Sequence, residues 1–269
     1  MTTIKANRIR IAGTVSGAAG QRKQRNYSQL IGDDARCSGF FSLLSGRYTY
    51  TPGVGSYDGV ITQITNRKTG SALLLKEDTQ AAQPSLDLDG GPVVDGITLP
   101  CMKFFTSGSD KLTLSGGTFP VAGDHFKAFI FRSAGSSSNK YLGYSGTSGN
   151  RHMLHLGSGN KVYARVGPST NEALVNVDYT PNTWHLVISI WNAAAKRVGV
   201  SLDGGAFVTD VNASAVLDQS AFIVGGGLLN DDWITDILYG PADVSLSANI
   251  AWLQMIYKWA RTKRGITLA

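Results

Sequence analysis

The pattern of apolar and polar positions is clearest over residues 183–205, TWHLVISIWNAAAKRVGVSLDGG. Within 184–191, one face carries Trp184, Leu186, Ile188 and Ile190, the period of two that marks a strand with one buried face. After the polar stretch 192–196 the alternation resumes, with Val198, Val200 and Leu202 predicted inward and Arg197, Gly199 and Ser201 outward. Asp203-Gly204 matches the dipeptide that tolerates positive φ in a two-residue hairpin turn, and 206–208 can return as the next strand.

Strand-length segments recur at 60–66, 71–75, 127–132, 141–144, 152–156, 161–166, 221–227 and 233–239, with turn residues between them. That spacing predicts an all-β chain folded as a two-sheet antiparallel β-sandwich. One helix is predicted over 247–264, with Ser247 as N-cap, Gly265 as C-cap and the cations Lys258, Arg261, Lys263 and Arg264 near its C-terminal end. Ile250, Leu253, Ile256, Tyr257 and Ala260 form one apolar stripe, and Trp252, Met255 and Trp259 form a second. Both stripes are expected to pack on the sandwich; the alternative is a tryptophan face docked on another subunit.

Composition supports strands and turns over helices. Only 16% of the 269 residues are charged, 32 are glycine, and Glu77 and Glu172 are the only glutamates. No apolar run approaches the roughly 20 residues that span a bilayer, so no membrane partner is expected. The start of the chain has no apolar signal-peptide core, which argues against Sec-type export. Cys37 and Cys101 do not make a disulfide framework, and two buried reduced thiols are the preferred reading over one bridge.

Charge divides the chain. Lys5, Arg8, Arg10, Arg22, Lys23 and Arg25 precede the first acidic residue, Asp33, so the net charge of +6 resides in the leading segment and the remainder is near neutral. Residues 1–35 therefore read as an extended basic anchoring arm and 36–269 as the β-sandwich domain with its closing helix. A neutral body is a poor nucleic-acid surface, and nucleic acid is not expected as a partner.

The order Trp-His-aliphatic strand, polar loop, Val-x-Val-x-Leu-Asp-Gly, together with 233–239 and the closing helix, resembles the concanavalin A-like (laminin-G-like) jelly rolls over about 58–265. Combined with a basic arm and no catalytic triplet, the chain looks most like the bacteriophage structural proteins of that family. The resemblance implies a non-catalytic virion protein, on the capsid as decoration or on the tail or baseplate. It would assemble in the host cytoplasm, be held to other virion proteins by its arm, and form a homo-oligomer.

The alternative is a carbohydrate-binding adhesin module for host-surface glycans, with Tyr141, Tyr144 and Trp233 as contacts, because aromatic faces stack on pyranose rings. A glycoside hydrolase needs two facing carboxylates. The Glu-x-Asp-x-x-Glu strand of jelly-roll glucanases is absent, Glu77 and Asp78 would point to opposite faces, and Glu172 is placed in a polar loop. No catalytic residue is assigned.

Calcium is the one cofactor with candidates, Asp87 and Asp89 in one loop and Asp231 and Asp232 in another, although turn formation explains both clusters better. His152 and His155, three apart on a strand, are predicted on opposite faces, and His185 is predicted at the surface.

Overall fold

The computed structural model of the chain describes residues 27–43, 46–53, 57–105, 110–117, 123–135, 140–145, 150–167, 172–212, 222–226 and 232–269. Lys5, Arg8, Arg10, Arg22, Lys23 and Arg25 of the predicted arm lie outside these residues, as does Asp231.

Antiparallel pairing builds two layers. The first runs Val208–Val211, Arg197–Leu202, His185–Asn192, His125–Ser133, Asp232–Gly240. Gly39–Ser42 and Cys101–Phe104 share the far edge of Asp232–Gly240, one near each end. Ser85–Asp87 and then Gly59–Thr65 extend the layer beyond Cys101–Phe104. The second layer runs Ala173–Asp178, Lys161–Val166, His152–Gly157, Lys140–Ser145, Phe222–Gly225, Lys111–Ser115, Leu74–Lys76. Gly59–Thr65 joins the two, since Gly59 and Val60 pair with Leu86 and Ser85 while Gln63, Ile64 and Thr65 pair with Lys76, Leu75 and Leu74.

Two apolar cores result. Between the layers, Phe129, Phe131, Val187, Trp191 and Ile237 of the first meet Leu142, Leu154, Leu156, Val162 and Val224 of the second. On the outside of the first layer, Phe126, Ala128, Ile130, Leu186, Ile188, Ile190 and Leu238 form a second core beneath helices α1 (Tyr27–Asp33) and α2 (Ile250–Arg264). Every residue of His185–Asn192 is consequently buried, a correction to the single buried face expected there. The hydrophobic effect that drives one face inward works equally on the other once a helix covers it. Gly199 and Ser201, expected outward, are buried for the same reason.

Both stripes of α2 pack on the sheet. Trp252 meets Phe126 edge-on at 5.1 Å, and Trp259 meets Phe40 in the same way at 5.1 Å. Ser247 is not the N-cap; it opens a 3₁₀ turn, Ser247–Asn249, and Asn249 takes the cap position while its side-chain amide donates to the Asp243 carbonyl at 2.8 Å. Ile250, counted in the apolar stripe, is exposed. Gly265 ends the helix with a left-handed φ of 63°. At the other end of the chain the arm boundary moves, because Tyr27–Asp33 is helical and places Ile31 fully in the outer core. Asp203 and Gly204 both have positive φ as predicted, but the returning strand begins at Val208, so the connection is longer than two residues.

A bulge fixes one consequential side chain. Phe131 pairs with Ile234 whereas Ile130 pairs with Asp236, leaving Thr235 as the extra residue. Ile234 and Ile237 therefore both face the inter-layer core, and Asp236 turns to the helix side. There it receives two hydrogen bonds from Arg264 of α2, one through Nε and one through Nη2 at 2.7 Å, while Ser42 Oγ accepts from Nη2 at 3.1 Å. Arg264 and Asp236 are both essentially inaccessible to solvent, so the ion pair clips the helix end to the bulge.

A tyrosine face and a sealed histidine cluster

The outer face of the second layer carries no described helix. Register places Tyr141 beside His155, His155 beside Tyr163 and Tyr163 beside Asn176, across four neighbouring strands. The rings pack on one another: His155 stacks on Tyr163 at 5.1 Å and 9°, and Tyr141 meets His155 edge-on at 6.2 Å. A bulge with Leu142 as the extra residue lets the same strand add Tyr144 to this face, edge-on to Tyr141 at 5.6 Å. Glycine suits position 143 beside it, since a Cβ there would lie 2.5 Å from the Phe129 ring.

Cations and acceptors border the rings. The Arg151 guanidinium lies 5.0 Å from the Tyr144 ring centre, and Arg165 Nη1 donates to Glu172 at 3.2 Å. Tyr141, Tyr144 and Tyr163 are half-buried, which leaves part of each ring open to solvent. His155 is buried between them, its Nδ1 without a hydrogen-bond partner. Burial first, and then the neighbouring charge of Arg165, lowers its pKa to about 4, so the imidazole is neutral near pH 7.

Trp233, the third predicted glycan contact, does not join Tyr141 and Tyr144. It lies on the outer face of the first layer, on the opposite side of the sandwich. Its register neighbours are Lys103 on one side and Arg132 on the other, with Lys103 Nζ 4.7 Å and the Arg132 guanidinium 4.1 Å from its ring centre. Cations already flank the indole, so it is a poor platform for a sugar ring.

The histidines separate as predicted for one pair and not for the other residue. His152 faces the inter-layer core and His155 the outside. His185 is buried, a correction to its predicted surface position. Its Nδ1 is 2.6 Å from Asp203 Oδ2 and its Nε2 2.9 Å from the Thr180 carbonyl. Burial alone would lower its pKa, but the hydrogen bonds to Asp203 and Thr180 and the charge of Asp203 outweigh it and raise the value. Hairpin register could have shown this contact, because Val187 opposite Leu202 places Asp203 next to residues 185 and 186.

Sequence reasoning did not foresee a polar cluster inside the sandwich. His125 Nε2 is 2.8 Å from His152 Nδ1, His152 Nε2 is 2.6 Å from Ser189 Oγ, and Lys127 Nζ donates to the His152 carbonyl. A hydroxyl on an imidazole has the form of an activated nucleophile, yet all four residues are fully inaccessible. Burial drives the His125 pKa down to about 3 and lowers that of His152, so both imidazoles are neutral near pH 7; burial lowers the Lys127 pKa as well. Inaccessible to solvent, the four side chains pack the interior between the layers.

Neither acid pair makes a hydrolytic site. Glu77 and Glu172 follow or precede strands at opposite ends of the second layer, about six inter-strand spacings of roughly 4.8 Å apart. Asp87 accepts the backbone N–H of Asp89 at 3.1 Å, the bond of a turn. Asp232 is buried and paired with Lys140 at 3.3 Å. Among the described residues no group of three or more His, Cys, Asp or Glu side chains could hold a metal ion. Cys37 and Cys101 are both buried and unbridged, as preferred from the sequence.

No protein family and no curated protein matches the sequence. Solved structures similar to it include the binding domain of botulinum neurotoxin DC in complex with SialylT, at 15% identity and a TM-score of 0.46 over 68% of this chain and 48% of that one. A receptor-binding domain is similar at 13% identity and a TM-score of 0.49, over 86% of this chain and 53% of that one. The CBM40 of a Ruminococcus gnavus IT-sialidase, bound to α2,3 sialyllactose, gives 8% identity and a TM-score of 0.40 over 49% of this chain and 82% of that one. This chain spans about half the length of the first two. Likenesses this distant carry no function, and the resemblance to bacteriophage structural proteins draws no support from them.

Proposed function

We propose that the protein is a non-catalytic glycan-binding module that seats a saccharide on the tyrosine face of its second layer. The observation that carries this reading is the array of Tyr141, Tyr144 and Tyr163 around the buried His155, on a sheet face left open by the described helices. Partly exposed rings fixed by edge and stacking contacts offer apolar surface at little entropic cost, suited to the C–H face of a pyranose. Arg151, Asn176 and Glu172 border the rings with donors and acceptors for sugar hydroxyls, the mix of apolar wall and few polar groups that small-ligand sites use.

Screening the protein on an array of neutral and charged oligosaccharides, followed by calorimetric titration, tests the proposal. Tyr141→Ala and Tyr144→Ala should each weaken binding by about tenfold or more while leaving the melting transition cooperative. Trp233→Ala should leave binding of a neutral saccharide at this face unchanged. A blank array, or tyrosine variants that bind as the parent does, would overturn the reading.

A further inference from the structure

On the far side of the sandwich, a row of side chains crosses the strands of the first layer in the order Tyr57, Lys103, Trp233, Arg132, Trp184. Lys103 Nζ donates to the Tyr57 hydroxyl at 2.6 Å and lies 4.7 Å from the Trp233 ring centre. The Arg132 guanidinium lies 4.1 Å from the Trp233 ring and 5.3 Å from that of Trp184. The row alternates aromatic and cationic groups, each cation held against the indole beside it.

Arg132 differs from Arg264 and Arg36, two other arginines stacked on this layer, in what its N–H groups do. Arg264, against Trp259, is paired with Asp236, and Arg36, against Trp252, is paired with Asp34 at 2.7 Å. Arg132 makes no hydrogen bond or ion pair with a described residue; its contacts are the two indole rings. The Trp233 indole N–H is likewise without a partner, although buried. Asp87, opposite Cys101 on this face, is turned into its own loop, where it accepts the Asp89 N–H and leaves no room for a Cβ at Gly90.

The groups left uncommitted here are donors. Stacking fixes the guanidinium plane and leaves its five-donor fork pre-organised, the geometry that takes a carboxylate through two parallel hydrogen bonds. We propose that Arg132, positioned by Trp184 and Trp233, binds the carboxylate of an acidic saccharide, with Lys103 adding charge. Single-stranded nucleic acid is a poorer occupant, because its bases need open aromatic faces and the Trp233 ring is already flanked by cations. An acidic peptide is poorer too, since the strands carrying Lys103, Trp233 and Arg132 are paired on both sides and offer no backbone edge. This inference does not rest on the tyrosine face.

The test titrates the full chain with oligogalacturonate, its methyl-esterified neutral form, polyglutamate and oligo-dT, following tryptophan emission. The parent should bind oligogalacturonate, more weakly as salt rises, and bind the other three at least about tenfold less well. Arg132→Ala should lose about tenfold or more in oligogalacturonate affinity. Arg132→Lys keeps the charge without the fork and should lose about threefold or more, which keeps the test decisive should the alanine variant not fold. The Arg132 variants should keep any binding of a neutral saccharide at the tyrosine face, so failure here and failure of the tyrosine-face proposal are told apart. No binding of oligogalacturonate, equal binding of the methyl ester, tighter binding of polyglutamate or oligo-dT, or Arg132 variants equal to the parent would each overturn the assignment.

Discussion

The two layers of this sandwich share a core and differ on their outsides. Outward positions of the first layer, where Phe126, Ala128, Ile130, Leu186, Ile188 and Ile190 line up, are apolar and covered by two helices. Outward positions of the second layer hold Tyr141, Tyr144, His155, Tyr163 and Arg165, and no described helix lies on them. The difference is one of closure: the part of one face beneath the helices is filled to complete the fold, and the other face is aromatic and polar enough to remain wet. An uncovered sheet face of tyrosines is tolerated because each ring buries an edge against its neighbour and leaves the rest exposed.

That contrast predicts a ranking of mutational effects. Asp236→Ala and Trp259→Ala, both on the covered side, should each destabilise by about 3–5 kcal/mol, the first by stranding the Arg264 charge and the second by opening a cavity. Urea denaturation measures both, and a loss below about 1 kcal/mol would mean that the helix is not held as described.

Next in size is acid sensitivity of the shared interior. His125 and His152 have folded pKa values depressed by burial, so the unfolded chain takes up protons first as pH falls below about 6.5. Stability present at neutral pH should fall by ~1–2 kcal/mol for each of the two between pH 7 and 5. His185, raised above its ordinary value, opposes this with a smaller gain at low pH. Denaturant midpoints at pH 7 and 5 decide it; a flat profile, or one that rises toward acid, would contradict the sealed cluster.

Smaller still, Tyr144→Ala on the open face should cost about 1 kcal/mol while abolishing most glycan binding, and a much larger loss would make that tyrosine structural. Ile250→Glu, at an exposed site in the first turn of α2, should change stability by no more than about 0.5 kcal/mol.

Much of the body was legible from residue periodicity. Lys161–Val166 alternates strictly and emerges as a strand with those bounds, and the positive φ of Asp203 and Gly204 follows from the side chains there. What periodicity cannot report is pairing at a distance. The bulge that turns Asp236 toward α2 depends on which strand lies beside it, and nothing local marks Thr235 as the extra residue. Ala173–Asp178 was missed beside a glutamate that looked like loop, although Val175 and Val177 alternate with Leu174 and Asn176. Tyr141, Tyr144 and Trp233 were grouped by chemistry, which says nothing about side; topology puts the first two together and the third behind them. The basic residues that motivated a virion tether lie outside the described part, and that expectation gains nothing from the fold.

The tie between Arg264 and residues as early as Ser42 has a consequence for synthesis. While the chain emerges from a ribosome, the greasy side of the first layer has only α1 over it until residues 250–264 have been added. Non-local closure of this kind is slow, and until it happens that surface is a target for chaperones and for self-association. Closure of this layer should therefore be limited by the arrival of α2 and not by the formation of the sheets.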